Sequence, residues 1–486
     1  MGIRRVLVLA VSLILATSGC RWIVRASVDS AGNQANADSY DVALSADGRF
    51  VAFESDATNL VPNDTNGDRD VFVRDNRTGA VERVFETPYL VDLSEDGRYV
   101  AARDTANCDD LGVLFTLFLH DRQTGITECV NEGSGLDSAF SATMRFVASA
   151  NGTVRVFDRR TGQAELIPVP SGHSDARQVD ISDNGRYVAF DTWEQPFGCG
   201  LPPGPCIPRP GDVFVHDRQT GTTVHVPLPA PDGFFAGYPS ISGNGRWVAY
   251  HLATQQGFPS IFFTISTWVY DRQTGVAEPV SVDPDGIVAD VDNLLRAPPI
   301  SDDGRFVAFA SSASLDPENP SRFDWGLYVR DMVERRTTLI NTDASGKPAK
   351  EQLFDLEIAD DARYVAFTSL SANLVGGDTN GASDVFLRAI PLPRIDSVAP
   401  SSAARGTSTT ITILGEGFAP QPTVQAGEGV SVTAVTRVSE HELSVRIAVS
   451  GLAPTGLRAV SVKNTGTGPG PAAGDTGACN GCLTIT

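Results

Sequence analysis

A nine-residue phrase of the type Ser-x-Asp-Gly-Arg-Phe-Val-Ala-Phe recurs seven times in this chain of 486 residues, and it constrains the fold more than any other feature. The copies lie 41 to 60 residues apart and begin at Ser45, Ser94, Ser141, Ser182, Ser242, Ser301 and Ala359. A second phrase, an apolar run ending in Asp-Arg-x-Thr-Gly as at Asp121–Gly125, follows most copies. A spacing of this length indicates a stack of small, similar structural units.

Each phrase predicts a β-hairpin, because Asp-Gly or Asn-Gly between apolar alternations supplies the positive φ that a tight turn needs. The first phrase joins a first strand to a second, and the second phrase joins a third to a fourth. Four short antiparallel strands, seven times over, predict an all-β fold, a seven-bladed β-propeller over residues 21–390. Met144 and Ala362 replace the glycine in the two weaker copies, so we expect strain of roughly 1 kcal/mol in each of these turns.

These phrases resemble the TolB-like (WD-type) propeller repeats of exported bacterial proteins, which carry a similar Ser-x-Asp-Gly-x-x-(Val/Ile)-Ala-Phe core. The resemblance covers about residues 22–390. It implies a propeller fold and a role in protein interaction, and it implies no particular ligand.

The two ends of the repeat region predict how the ring closes. Residues 25–32 (RASVDSAG) are similar to residues 279–286 (PVSVDPDG), which form a fourth strand after a Thr-Gly turn. The seventh repeat has a second and a third strand but reaches Pro391 before any fourth. We therefore expect the N-terminal strand to complete the seventh blade, which leaves no exposed sheet edge at the seam.

A second domain follows a linker at residues 391–394. Residues 395–486 alternate apolar and polar side chains between Gly and Pro breaks, which predicts a small immunoglobulin-like β-sandwich. The segments Ile395–Ser402 and Thr409–Phe418 resemble the opening and the Gly-x-Gly-Phe step of IPT/TIG domains. That resemblance implies a spacer or a binding module.

Residues 1–20 have the pattern of a targeting segment. Arg4 and Arg5 precede an apolar run of 11 residues, which is too short to span a bilayer and fits a secretory signal. The run ends in Ser18-Gly19-Cys20, which resembles a bacterial lipobox and implies lipidation of Cys20. Ordinary signal-peptidase cleavage is the alternative. In either case we expect an exported protein at the outer membrane, in the periplasm or on the cell surface. If Cys20 is lipidated, the lipid is expected to be its only membrane attachment.

The cysteine count agrees with this interpretation. Seven cysteines are present, and leaving Cys20 aside, six of them form close pairs. In an oxidising compartment we expect disulfides within these pairs. The pairs are Cys108 with Cys129, Cys199 with Cys206, and Cys479 with Cys482. The last pair could instead hold two free thiols.

The net charge of −21 argues against nucleic acid as a partner, because phosphate binding needs clustered positive charge. Alternating oxygen side chains at Asp64, Asn66, Asp68 and Asp70 are compatible with a calcium site. The simpler interpretation is an Asx-type turn, and no other cofactor is expected. The sequence contains no His-Glu-x-x-His, Gly-x-Ser-x-Gly or phosphate-binding Gly-rich motif, so we expect no enzymatic activity.

The long connections of the predicted propeller lie on one face, opposite the short turns, and loops on one face of a repeat fold usually carry binding. The aromatic side chains expected there are Trp193, Phe197, Phe234, Phe235, His251 and Phe258. We therefore expect a non-enzymatic envelope binding or scaffold protein that contacts an envelope or extracellular protein or peptide through this face. The alternative is a saccharide-binding protein or a metal-dependent enzyme that uses the central channel. Histidines or paired carboxylates clustered at the channel mouth would favour the alternative.

Overall fold

The computed structural model divides the chain into two compact units, residues 23–390 and the part that begins at 391. The residues described are 23–86, 89–104, 116–130, 137–193, 211–229, 235–256, 262–283, 285–291, 296–316, 326–333, 335–343, 346–351, 353–390, 393–418, 421–439, 441–465 and 476–486. Among them every regular element is a β-strand, and no helix long and apolar enough to cross a membrane occurs.

The first unit contains twenty-seven strands in the described residues. They are β1 (Ile23–Arg25), β2 (Ser39–Leu44), β3 (Phe50–Ser55), β4 (Asp70–Asp75), β5 (Val81–Glu86), β6 (Tyr89–Leu93), β7 (Tyr99–Asp104), β8 (Thr116–Asp121), β9 (Ile126–Val130), β10 (Asp137–Phe140), β11 (Phe146–Asn151), β12 (Thr153–Asp158), β13 (Gln163–Ile167), β14 (Ser174–Ile181), β15 (Tyr187–Trp193), β16 (Val213–Asp217), β17 (Thr222–His225), β18 (Phe235–Ile241), β19 (Trp247–Gln256), β20 (Phe262–Asp271), β21 (Val276–Pro279), β22 (Phe306–Ser311), β23 (Gly326–Asp331), β24 (Arg336–Leu339), β25 (Leu353–Ile358), β26 (Tyr364–Ser369) and β27 (Asp384–Ala389).

These strands form seven antiparallel sheets, which confirms the predicted seven-bladed propeller. Five sheets are regular: β2–β5, β6–β9, β10–β13, β14–β17 and β18–β21, each paired in chain order. The sixth has three strands, β22–β24, and its innermost strand is reduced to a single bridge between Ile300 and Val307. Pro298 and Pro299 precede this bridge, and a proline cannot donate a ladder hydrogen bond.

The seventh sheet is ordered β1–β27–β26–β25, so its outermost strand comes from the start of the described chain. Ile23, Val24 and Arg25 lie opposite Arg388, Leu387 and Phe386 in antiparallel register. The ring is thereby closed by hydrogen bonds between strands that are distant in sequence, and the edge of β27 is covered.

The repeated phrase forms the turns that the sequence predicts. In the five copies that have a glycine at the turn, this glycine has positive φ, as at Gly245 with φ +71°. Met144 and Ala362, which replace this glycine, keep the same backbone conformation with φ of 56° and 57°. The predicted strain at these two positions is therefore present, since side chains with a Cβ disfavour this region.

The phrase also locks each sheet to the next through an aromatic ring. A Cβ added to Gly245 would lie 2.1 Å from Cδ2 of Tyr187 in the preceding sheet. The guanidinium carbons of Arg186 and Arg272 lie 4.7 and 3.9 Å from the centroid of the Tyr187 ring. Arg186 in turn forms a bidentate ion pair with Asp217. The glycine is therefore required by the turn and also by the ring that fills the space beside it.

The same ring-on-glycine contact recurs at four other boundaries, namely Phe50 on Gly97, Phe146 on Gly185, Trp247 on Gly304 and Tyr364 on Gly48.

The second unit is a two-sheet β-sandwich, which agrees with the predicted immunoglobulin-like class. Its strands are β28 (Arg394–Ala399), β29 (Ser402–Ala403), β30 (Ser408–Glu416), β31 (Gln421–Gln425), β32 (Val430–Ser439), β33 (Glu442–Val449), β34 (Gly456–Thr465) and β35 (Thr476–Ile485). One sheet is ordered β28–β30–β33–β32 and the other β29–β35–β34–β31. Buried apolar side chains from both sheets, such as Ile413, Val445, Val460 and Leu483, form its core. Cys479 and Cys482 are joined by a disulfide in β35.

Candidate functional site

The inner strands β2, β6, β10, β14, β18 and β25 surround a central channel of about 710 Å³. Its wall is formed by residues of β2, β6, β10, β14, β18 and β25, together with residues 296–302 in the sixth sheet. Side chains alternate along a strand, so alternate residues of each inner strand point into this space.

Four carboxylates lie where the inner strands enter the short turns of the repeated phrase. Glu95, Asp183, Asp302 and Asp360 each follow the first residue of a phrase, and we call them the turn-end ring. The other copies carry a small residue at this position, namely Ala46, Ala142 and Gly243.

Backbone hydrogen bonds link this position from sheet to sheet. The Glu95 N–H donates to the Ala142 carbonyl at 3.3 Å, and the Asp302 N–H donates to the Asp360 carbonyl at 3.1 Å. The Asp183 N–H likewise donates to the Gly243 carbonyl at 3.1 Å. The turns therefore approach one another at this end, which brings their side chains together.

The side chains of the turn-end ring are closely spaced. Carboxylate oxygens of Glu95, Asp302 and Asp360 all lie within 4.8 Å of one another. A Cβ on Gly243 would lie 2.1 Å from Asp183 Oδ2 and 2.3 Å from Asp302 Oδ1. Because Gly243 has no Cβ, the carboxylates of Asp183 and Asp302 can occupy the space beside it.

Asp92, Asp180 and Glu357 lie two residues before the start of a phrase, and we call them the inner ring. Asp180 accepts hydrogen bonds from the backbone N–H groups of Ile181 at 2.8 Å and Ile241 at 2.7 Å. Asp92 accepts one from the following residue at 2.7 Å, and Glu357 one at 3.3 Å. Within the described residues, no Lys, Arg or His forms an ion pair with any member of either ring.

Burial is the main reason that the pKa values of these seven carboxylates are raised, and the charges of neighbouring carboxylates add to it. The pKa rises for Glu95, to about 6 for Asp183, to about 7 for Asp92, Asp180 and Asp302, to about 8 for Glu357 and to about 9 for Asp360. The channel therefore holds more acidic groups than can ionise together near neutral pH without a cation.

The opposite end of the channel is different, because arginines accompany its carboxylates. Arg296 forms ion pairs with Asp41 of β2 and with Asp355 of β25, the latter at 2.8 Å. Asp137 is buried, which raises its pKa to about 6, and the charge of Arg103 offsets part of that effect. Negative charge without an arginine partner is thus concentrated toward the short-turn end.

The proposed calcium ligands have a different partner. Arg83 Nη1 lies 3.1 Å from Asp64 Oδ1 and 2.8 Å from Asp70 Oδ2, and Asn66 donates to Asp70 at 2.8 Å. A guanidinium therefore lies where the cation would bind, and Asp68 points to solvent. This favours the turn interpretation over the calcium site. In the sequence, Arg83 is distant from the loop, so its role there could not be inferred.

The predicted aromatic face is only partly within the described residues. His251 is buried at 3% exposure, and its Nε2 lies 3.2 Å from the Arg296 carbonyl, so it does not belong to an exposed surface. The expectation that His251 belongs to the exposed binding face is therefore wrong, because its position in β19 directs the side chain inward. Phe235 is half-buried at the start of β18. Trp193 ends β15, and its side chain lies outside the described set, as do Phe197, Phe234 and Phe258.

The cysteine predictions can be placed only in part. Cys129 is disulfide-bonded, and Cys479 is bonded to Cys482. Cys20, Cys108, Cys199 and Cys206 lie outside the described residues.

The channel carboxylates were not predicted from the sequence, although the aligned phrases contain a signal for them. When the seven phrases are aligned, the residue after the initial serine or alanine is acidic in four copies and small in three. A turn makes no demand for an acid at this position, so the alternation of acidic and small residues indicated a shared inward-facing site.

A family model described as quinohemoprotein amine dehydrogenase, alpha subunit domain III, matches residues 393–467, which lie in the β-sandwich. No curated protein matches the chain.

Among solved structures, an oligogalacturonate lyase from Vibrio parahaemolyticus is 13% identical, with a TM-score of 0.48, over 76% of this chain and 93% of the other. TolB from Acinetobacter baumannii is 15% identical, with a TM-score of 0.35, over 56% of this chain and 59% of the other. A Swd1 propeller domain from Myceliophteria thermophila is 12% identical, with a TM-score of 0.42, over 77% and 99%. At these values the likenesses concern the propeller architecture alone.

Proposed function

We propose that this protein is a non-enzymatic binding protein whose propeller channel receives a cationic segment of a protein or peptide partner. The observation that carries the proposal is the pair of carboxylate rings, seven acidic side chains facing one channel with no ion-pair partner among the described residues. We therefore propose the channel as the ligand-binding region, in place of the exposed aromatic face expected from the sequence.

The physical reason is electrostatic. Ionising several buried carboxylates within a few ångströms of one another is unfavourable, and the raised pKa values of Asp302, Glu357 and Asp360 express that cost. A Lys or Arg side chain, or a peptide N-terminus, would offset it by supplying positive charge and hydrogen-bond donors. An acidic or neutral segment would not.

The affinity for a short lysine-containing peptide, measured by calorimetry at low and at physiological salt, tests the proposal. We expect binding that weakens with salt and falls at least tenfold in the double variant Asp302→Asn, Asp360→Asn. The matched control is Asp68→Asn with Asp285→Asn, which replaces the same number of carboxylates in exposed loops. An acidic peptide of equal length should not bind. Equal affinity of the two double variants, or no binding by the wild type, would contradict the proposal.

The alternative of a metal-dependent enzyme or a saccharide-binding protein in the channel is favoured by one observation, the approach of Glu95, Asp302 and Asp360 to within 4.8 Å. Carboxylate oxygens are the ligands that hard divalent cations prefer. A parallel titration with CaCl₂ separates the two functions. Calcium binding that depends on Asp302 and Asp360, together with no peptide binding, would favour the alternative.

The proposed location is the cell envelope, supported by the signal-like residues 1–20 and by Cys20 after Ser18-Gly19. Acyl chains on Cys20 would contribute roughly 0.8 kcal/mol per buried CH₂ to membrane attachment. Fractionation of cells that express the wild type or Cys20→Ser tests this. We expect the wild type with membranes and the variant in the soluble exported fraction, and an equal distribution would show that Cys20 is not an anchor.

A further inference from the structure

Arg296 brings a positive charge into the channel at the end opposite the short turns. It belongs to residues 296–302, which line the channel in the sixth sheet, where the other sheets contribute an inner strand. Among the described residues that line the channel, only Arg103 and Arg296 are basic. The Arg296 side chain is 48% exposed, so it is accessible from solvent.

Arg296 binds two carboxylates that belong to two other sheets. Its Nη2 contacts Asp41 of β2, and its Nε lies 2.8 Å from Oδ1 of Asp355 in β25. Asp355 Oδ2 also accepts a hydrogen bond from the backbone N–H of Asp41 at 3.1 Å. Asp41 and Asp355 therefore form a receptor for one guanidinium, and Arg296 occupies it.

The charge of Arg296 also acts on the carboxylate rings. Burial raises the pKa of Asp355, and the charge of Arg296 opposes this rise. Burial likewise raises the pKa of Glu357 in the inner ring to about 8, and Arg296 again acts in the opposite direction. The protein thus supplies from its own chain a part of the positive charge that a cationic ligand would bring.

The backbone at Arg296 is held by few hydrogen bonds. Pro298 and Pro299 cannot donate to a neighbouring strand, and the strand pairing is reduced to the bridge at Ile300. The Arg296 carbonyl lies 3.2 Å from His251 Nε2. The Arg296 side chain can therefore leave its two carboxylates without the loss of a strand ladder.

We propose that Arg296 is an autoinhibitory cation, and that a lysine or arginine side chain of the partner displaces it from Asp41 and Asp355. This inference rests on the proposed function, because it concerns the regulation of the same channel. The partner's cation would use the acceptors that hold Arg296 in the free protein. The apparent affinity is then reduced, because only molecules in which Arg296 has left these carboxylates are fully competent to bind.

Calorimetry with the lysine-containing peptide at physiological salt tests the competition. We expect Arg296→Met to bind the peptide at least fivefold more tightly than the wild type, because Asp41 and Asp355 become available. The matched control is Arg335→Met, which removes the same charge from an exposed ion pair with Glu278. Its affinity should stay within twofold of the wild type, since distant surface charges are screened at this salt.

Two further variants exclude a purely structural explanation. Arg296→Gln repeats the test with a polar side chain if the methionine variant does not fold, and thermal unfolding shows which variants are folded. Arg296→Lys retains a cation, so its affinity should lie closer to the wild type than that of Arg296→Met.

The outcomes separate this inference from the proposed function. Binding by the wild type that is equal to or tighter than binding by Arg296→Met and Arg296→Gln would overturn the inference and leave the proposed function standing. No binding by any of these proteins would contradict the proposed function, and the inference would fail with it. Binding by the Arg296 variants alone would support the competition, although the wild type would then fail the test of the proposed function.

Hydrogen exchange gives a second readout of the displacement. When the peptide is added to the wild type, exchange in residues 296–301 should become faster, because the released Arg296 no longer fixes this segment. Exchange in β25 should become slower, because its carboxylates hold the ligand. Unchanged or slower exchange in residues 296–301 would contradict the displacement.

Discussion

At the residue scale, the boundary between two sheets depends on an aromatic side chain that fills the space beside a glycine. The Tyr187 ring contacts the guanidinium groups of the adjacent Arg186 and of the sequence-distant Arg272, and it covers Gly245. Cation–π contacts contribute roughly 0.5–1 kcal/mol at exposed sites. Two of them on one ring therefore contribute substantially to the stability of the boundary between the two sheets. The ring leaves no room for a Cβ on the glycine.

We predict that Gly245→Ala destabilises the protein more than Gly221→Ala does. Both glycines have φ near +70°, so both substitutions carry a left-handed backbone cost of roughly 1–2 kcal/mol. Only at Gly245 does the new Cβ also meet Tyr187, whereas nothing lies within 4 Å at Gly221. Overpacking should add roughly 1–3 kcal/mol at Gly245.

The free energy of unfolding, measured by urea denaturation of the two variants and the wild type, checks this. Equal losses in the two variants would show that the aromatic contact contributes nothing beyond the turn.

The roles of some residues could be predicted from the sequence, and the roles of others could not. The turn glycines were predictable because a tight hairpin demands positive φ, and Met144 and Ala362 keep that φ because the surrounding turn enforces it. The channel carboxylates were not predicted, since no local rule requires an acid after the first residue of a phrase.

At the element scale, two fourth strands supply an arginine to the loop between the second and third strands of their sheets. Arg83 of β5 pairs with Asp64 and Asp70 in the first sheet. Arg25 of β1 pairs with Asp378 at 3.2 Å and Asp384 at 3.1 Å in the seventh. In both sheets an arginine thus neutralises the aspartates of the same loop motif. The two strands differ in one respect, because no direct chain connection joins β1 to the other strands of its sheet.

We predict that Arg25→Met loosens the seam. Removing this cation leaves Asp384 buried at 0% side-chain exposure with one charged partner fewer, and breaking a buried ion pair costs roughly 3–5 kcal/mol. Because β1 is only three residues long, we expect faster hydrogen exchange in Ile23–Arg25 and Asp384–Ala389. Arg83→Met is the control, and it should leave exchange in these two strands unchanged. Equal exchange at the seam in both variants would contradict this role of Arg25.

The elements themselves were largely predictable because hairpin turns and apolar alternation are local signals. The exception is the inner strand of the sixth sheet, where Pro298 and Pro299 reduce the pairing to the bridge at Ile300. The closing strand β1 was predictable only because residues 25–32 repeat a fourth-strand sequence seen elsewhere in the chain.

At the scale of the whole molecule, two sets of carboxylates give opposite dependences of stability on pH. The channel carboxylates have raised pKa values in the folded protein, so their contribution is fully present below their unfolded values and is lost as pH rises. The arginine-paired carboxylates, such as Asp75 and Asp271 with pKa values of about 2, contribute above their unfolded values and lose this contribution under acid.

We therefore predict a maximum of thermal stability near pH 4–5 and a progressive decrease toward pH 9, a window set by the raised pKa values of about 6 to 9. In Asp360→Asn the decrease above pH 7 should be smaller, since that carboxylate no longer has to lose its proton. Melting temperatures measured from pH 4 to pH 9 check this. A stability that rises steadily from pH 5 to pH 9 would show that the channel carboxylates are not held in their protonated forms.

The sequence predicted the class and the number of blades because both depend on the count of repeats. It did not predict the location of the site, because the channel exists only after the seven sheets have closed into a ring.

The central claim is that a cationic ligand neutralises the channel carboxylates, and proton release on binding tests it most directly. At pH 7 the groups with pKa values of about 7 to 9 hold protons, and a bound cation lowers those values, so protons must leave. Calorimetry with the lysine-containing peptide in two buffers of different ionisation enthalpy counts them. We predict a net release at pH 7 that is reduced in the Asp302→Asn, Asp360→Asn variant. An apparent binding enthalpy that is the same in both buffers, or a net uptake of protons, would contradict the account.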